Sequence, residues 1–405
     1  MKKLMTFALC FAAIGSVSAQ KEVLKAAKKL SGNPDKIEEA RSLINQAMQN
    51  PETANNAETY LIAGKIEFDA YDKDSLMIQI DQTKVDPLKM SENLLNGYNL
   101  FVKALPLTAI PDEKGKTDTK TAKQIATTLK KHINHFDMAG GTFYNADKKY
   151  PEAYQCFMIY ADMPEQDFMQ GQKLAIADTL RGRAYFNAGI SALLGKEFIK
   201  GADAFRNARR VGYDDNQAFI YEISCWQSLL ERDSTMEQTA KEKIMEVAEE
   251  GNRKFGVEQP VFFNYIINYL VMDDKFDQAL SQINNQIAAY PNNPNLYGLR
   301  AFVYDRIGKD NESVDDYRKA IAIENVDFDT LKRAARKIFR VGTVMWDAIE
   351  GDTEQDRAAR ADIKTNYFIA AKSIAEKAKA NANDDYAGDI DTLLENIDYV
   401  ISLAK

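Results

Sequence analysis

The chain has 405 residues, 28% of them charged and 45% apolar, with a formal net charge of −8. These proportions are ordinary for a globular protein and exclude collagen, low-complexity disorder and a disulfide scaffold. The one sizeable apolar run lies at the N-terminus, which excludes a polytopic membrane protein. Ten prolines are about half the usual share of ~5% and favour long helices.

Met1 to Ala19 has the pattern of a secretory leader: Lys2 and Lys3, then the apolar stretch Leu4 to Ile14, then Val17-Ser18-Ala19 before a cut ahead of Gln20. Cys10 follows Phe7-Ala8-Leu9 inside the apolar stretch, which argues against a lipoprotein anchor. Loss of the leader leaves 50 basic against 60 acidic residues, a net charge of −10. Such a chain has no general attraction for phosphate backbones or anionic lipid, so nucleic acid is not an expected partner. The expected destination is the periplasm or the periplasmic face of the outer membrane of a bacterium. Of the two remaining cysteines, Cys156 and Cys225, both lie in apolar helical stretches and are expected as buried thiols, although an exported chain could bridge them.

A repeat follows. Residues 21–54 carry Ile37, Ala40, Ile44 and Ala47; 57–105 carry Tyr60, Ala63 and Gly64, then Phe101 and Ala104 after a long insertion at 70–93. The stretch 106–119 holds two prolines and a glycine and is expected as a loop or hinge. The pattern is clearest in 134–167 (Gly140, Tyr144, Ala153, Phe157), 182–215 (Tyr185, Gly189, Phe205, Ala208), 260–293 (Phe263, Ile267, Ala279, Ile283) and 294–327 (Tyr297, Ala301, Tyr317, Ala320). It is weaker in 218–253, with Tyr221, Cys225 and Ala248, and in 328–381, with Leu331, Ala335 and Ile338 and then about 16 extra residues before Tyr367 and Ala370. The polar run 350–357 marks a turn. A last helix over 384–404 has Ile390, Leu393, Ile397 and Ile401 on one face and Asp389, Asp391, Glu395 and Asp398 largely on the other, which suits a capping helix with a polar outer surface.

Apolar residues spaced by three, four and seven give each helix one buried stripe, and small residues let paired helices approach closely. One hairpin cannot bury its stripe alone, so neighbours must stack. The recurring aromatic, small and aromatic positions at a period of 34 resemble the tetratricopeptide repeat family. The resemblance implies an all-α, right-handed superhelical solenoid of about eight hairpins. On it the chain divides into a leader (1–19), N-terminal hairpins (20–105), a loop or hinge (106–119), the main array (120–381) and a capping helix (382–405).

The only histidines, His132 and His135, share a helix face without a third ligand or an HExxH pattern, and are expected as packing or surface residues at a helix start. No phosphate loop or serine elbow occurs, so no catalytic residue, metal or cofactor is expected. In the family the first helix of each hairpin lines a concave groove. The resemblance marks Phe186, Ile190, Phe219, Trp226, Asn264, Asn268, Phe302, Lys332, Arg333, Arg336 and Arg340 as groove positions; Lys332, Arg336 and Arg340, widened by Arg333 and Lys337, form a cationic row. The groove would then take an extended peptide or another protein through an apolar centre and a basic end. The competing reading makes Phe186, Phe219, Trp226 and Phe302 core residues and the basic row solvated or internally paired.

The expected function is a non-catalytic interaction scaffold or adaptor, within a cell-envelope complex. The alternative is a periplasmic chaperone or accessory subunit for outer-membrane or secreted clients, and an envelope enzyme is a third reading.

Overall fold

The computed structural model describes residues 17–146, 148–381 and 387–404. The expected leader lies outside them except for Val17 to Ala19, which begin the first helix. Every regular element among the described residues is helical. None of these helices is long and apolar enough to cross a membrane. The chain forms two compact units, Met1–Val247 and Ala248–Lys405.

The first unit contains α1 (Val17–Leu30), α2 (Ile37–Gln49), α3 (Ala57–Asp81), α4 (Pro87–Thr108), α5 (Thr119–Asn145), α6 (Tyr150–Asp162), α7 (Asp178–Leu194), α8 (Phe198–Arg210) and α9 (Asn216–Leu230). Each packs on its neighbour in the chain, the pattern expected of stacked hairpins. Asn56, Asp86, Asp118 and Asp215 start α3, α4, α5 and α9, their side-chain oxygens accepting first-turn N–H groups. Within pairs the small and aromatic positions of the repeat meet. A Cβ added at Gly140 would lie 2.7 Å from the Phe157 ring, and one at Gly189 2.6 Å from the Phe205 ring. The aromatic of the second helix thus rests directly on the backbone of the first.

Three features depart from the sequence reading. Residues 106–108 are helical rather than loop, with Pro106 inside the last turn of α4, because Ala104 and Thr108 remain buried on the core. The insertion at 70–93 is mostly helix: it extends α3 and begins α4, and leaves Leu76 and Ile80 exposed. A further excursion, 163–177, joins α6 to α7 through two 3-10 turns and packs on α5, burying Met163 and Met169.

Cys156 and Cys225 are free and fully buried. Among the described residues of this unit a strongly desolvated ion pair joins Glu222 of α9, 1% exposed, to Arg209 of α8 at 2.6 Å. The Arg209 guanidinium also lies 4.5 Å from the centre of the Phe219 ring. Burial holds the Glu222 carboxyl above its ordinary range despite the attraction of Arg209.

The two units divide within α10 (Glu237–Phe255), whereas the loop at 106–119 lies inside the first. The second unit continues with α11 (Pro260–Met272), α12 (Phe276–Ala289), α13 (Pro294–Arg306), α14 (Asp310–Ala322), α15 (Phe328–Asp347), α16 (Glu354–Ile363), α17 (Ala370–Ala380) and α18 (Ala387–Leu403). Pro260 and Pro294 occupy the first turns of α11 and α13, where a missing N–H costs little. A Thr353–Asp356 capping box starts α16 inside the stretch expected as a polar turn. A π-helical segment, Lys364–Ile369, joins α16 to α17. It absorbs part of the extra length of this repeat and lays Tyr367 and Phe368 against Gly342 of α15. The last helix, α18, buries Ile390, Leu393 and Ile397 against α15 and α17.

Candidate binding groove

The first helices of three successive pairs, α11, α13 and α15, line a cleft of about 420 Å³ in the second unit. Asn264 and Asn268 enter from α11, Asn295 and Leu299 from α13, and Asp329 and Arg333 from α15. The period of the chain explains the set. Asn295 and Asp329 are 34 residues apart, as are Leu299 and Arg333, so equivalent positions of successive repeats face the same cleft. Asn264 and Asn268 are one helical turn apart and therefore share a face. The side-chain oxygens of Asn264 and Asn295 are buried and accept no hydrogen bond from the described residues. These carboxamides can donate to or accept from a passing backbone.

Arg333 is exposed, and its guanidinium stacks 4.7 Å from the centre of the half-buried Phe302 ring. It has no carboxylate partner among the described residues. The other expected cations do. Lys332 and Arg336 meet Asp389 of α18 at 3.2 and 3.5 Å. Arg340 pairs with Asp305. Lys337 is buried between Asp305, at 2.5 Å, and Asp310. Hydrogen bonding from Lys332, with the charge of Arg336, holds the Asp389 carboxyl below its usual range. The expected open basic row is thus reduced to Arg333, because α18 and α13 bring carboxylates that lie far away in sequence. Asp327 and Asp329 also line the cleft, so its charge is mixed rather than basic.

The first-unit positions do not join this cleft. Phe219 and Trp226 are core residues, 1% and 5% exposed. Phe186 is half-buried in an aromatic cluster, 5.1 Å from Tyr213 and 5.5 Å from Phe205 between ring centres. Ile190, also half-buried, lines none of the described clefts. One helix carries both a core face and a groove face, and the repeat register of α7 and α9 turns Phe186, Phe219 and Trp226 inward.

His132 and His135 lie in the middle of α5 rather than at a helix start. His132 is buried, its Nδ1 2.8 Å from the Thr128 carbonyl oxygen and its Nε2 2.9 Å from Asp72 Oδ1. His135 packs on the Tyr71 ring, 5.1 Å between ring centres, and burial lowers its pKa from the ordinary histidine value. Both are packing residues. Among the described residues no three metal-ligating side chains are grouped.

Asn295, Leu299 and Asp329 were not among the expected groove positions. Their signal was the period itself, since Asn295 and Asp329 occupy one repeat position.

No family model matches the chain, and no curated protein does. Among solved structures it is similar to yeast Tom70, with 12% identity, 94% of this chain and 96% of that chain covered, and a TM-score of 0.26. It is also similar to the TPR domain of P58(IPK), with 13% identity, 96% and 99% covered and a TM-score of 0.30. The third is the TPR2AB-domain:pHSP90 complex of yeast Sti1, with 12% identity, 66% and 99% covered and a TM-score of 0.23. The helical-hairpin array rests on the packing of this chain's own helices, not on these likenesses.

Proposed function

We propose that the chain is a non-catalytic interaction protein that holds an extended partner segment in the cleft of the second unit. The observation that carries this reading is the convergence of Asn264, Asn268, Asn295 and Arg333 from three successive first helices on one open cleft. Asparagine carboxamides match the alternating N–H and C=O groups of an extended backbone. Arg333, held in place by Phe302, supplies one fixed cation for a carboxylate of the segment. Asp329 one turn away favours a donor or a cation beside it.

The leader pattern supports an envelope setting, in which the partner would belong to an envelope complex. A chaperone for exported clients is the second reading, favoured by a cleft that contacts backbone more than particular side chains.

A photo-crosslinking residue at Asn268, in cells that make the chain, is expected to give one or two discrete adducts. The same residue at Asp315 on α14, a second helix outside the cleft, is expected to give none of them. Identical adducts from both positions would contradict the groove assignment. A broad ladder of unfolded clients from Asn268 alone would favour the chaperone.

A further inference from the structure

Beside the groove the second unit holds a smaller cavity of about 100 Å³, where the end of α10, the last turn of α12 and the first turns of α11 and α13 come together. Its hydrogen-bonding lining is dominated by carboxamides, from Asn252, Asn264, Gln286, Asn293 and Asn295. The remaining wall is largely apolar, with Phe263 and Leu296 buried and the Tyr290 ring 46% exposed. No charged side chain lines it among the described residues, in a chain that is 28% charged. A charged ligand would lose its hydration there without gaining a counter-charge.

Two lining atoms set the demand on a ligand. The oxygens of Asn264 and Asn295 are buried without a donor among the described residues, a costly state for any acceptor. The matching ligand therefore brings several donors and acceptors, no net charge and an apolar face. A single carboxamide side chain has one oxygen and one NH₂ and cannot engage five carboxamides. A pyranose ring meets the demand, because each hydroxyl donates and accepts while the ring C–H face is apolar. The volume of about 100 Å³ is about two-thirds of the ~150 Å³ cavity that encloses a benzene ring, so the site takes one part of a single ring and leaves the rest in solvent.

We propose that this cavity binds one neutral sugar unit, with hydroxyls against the carboxamides and its C–H face against Phe263 and Leu296. The cavity adjoins the groove and shares Asn264 and Asn295 with it, whereas Asn252 and Gln286 line the cavity alone and distinguish the two sites.

Calorimetric titration of the full chain with glucose, galactose and N-acetylglucosamine tests this. At least one is expected to bind saturably, with glucuronate at least tenfold weaker. Asn264→Leu and Gln286→Leu are each expected to weaken binding at least tenfold; if the first fails to fold, the second carries the test. Gln286→Leu is expected to leave the crosslinks from Asn268 intact, so the two readings fail separately. No saturable binding of any of the three sugars, equal binding by Gln286→Leu, or glucuronate binding as tightly as the neutral sugar would overturn the proposal. So would tighter binding of N-acetylglutamine amide than of any sugar.

Discussion

Glu222→Ala is expected to destabilise the protein by about 3–5 kcal/mol, the usual effect of removing one partner from a buried ion pair. Glu222 is 1% exposed and the Arg209 side chain only 7% exposed, so the substitution strands a guanidinium away from water. Arg206, with its Nε 3.6 Å from Glu222 Oε1, loses an attraction as well. The double variant Arg209→Met with Glu222→Leu is expected to recover most of the loss, because a well-packed apolar pair can replace a desolvated ion pair at little cost. Urea denaturation followed by circular dichroism reads both; an unchanged midpoint in Glu222→Ala would show that the pair is solvated. Glu222→Gln isolates the pH dependence. The folded-state pKa is raised, so protonation favours the native state. That contribution is fully present below the unfolded value, ordinarily about 4.3, and is lost as pH rises through the folded value. The variant should lack this part of the slope between the two.

Deletion of residues 384–405 is expected to make the second unit aggregate and to abolish its cooperative melting. Ile390 and Ile397 of α18 are fully buried and Leu393 is 8% exposed. Burial of each such side chain contributes roughly 1.5–3 kcal/mol, and the deletion also uncovers Ile338 and Ile374 on the helices beneath. The acidic residues expected on the outer face of α18 also tie the helix down. Asp391 meets Lys379 at 2.6 Å and Asp398 meets Lys372 at 2.7 Å, while Asp389 faces Lys332 and Arg336. A truncated protein that stays monomeric with an unchanged melting curve would contradict the capping role of α18.

The hairpin array was legible because its determinants are local. Gly189 and Phe205, or Gly140 and Phe157, lie within one repeat, and their spacing alone announces a close crossing of two helices. The excursion at 163–177 was not legible. Met163, Phe168, Met169 and Leu174 give it enough apolar residues to pass for repeat, but its 3-10 turns follow no helical period.

The proposed groove was legible in part. Asn264, Asn268 and Arg333 line one cleft of the second unit. Phe219 and Trp226 do not, because one first helix carries both a core face and a groove face, and burial decides between them. The state of the basic row lay beyond sequence reading. Asp389 is 57 residues from Lys332 and meets it only once α18 has folded back onto α15.

The most direct test of the groove compares two arginines on one helix. Peptides selected from a random library against the full chain would be titrated against wild type, Arg333→Glu and Arg336→Glu. Arg333 faces the cleft without a carboxylate partner among the described residues, whereas Arg336 faces Asp389. The expected result is peptides that carry a carboxylate, at least a tenfold loss with Arg333→Glu, equal to about 1.4 kcal/mol or more, and less than a twofold change with Arg336→Glu. Equal losses in the two variants, or none in Arg333→Glu, would contradict a partner segment seated between α11, α13 and α15.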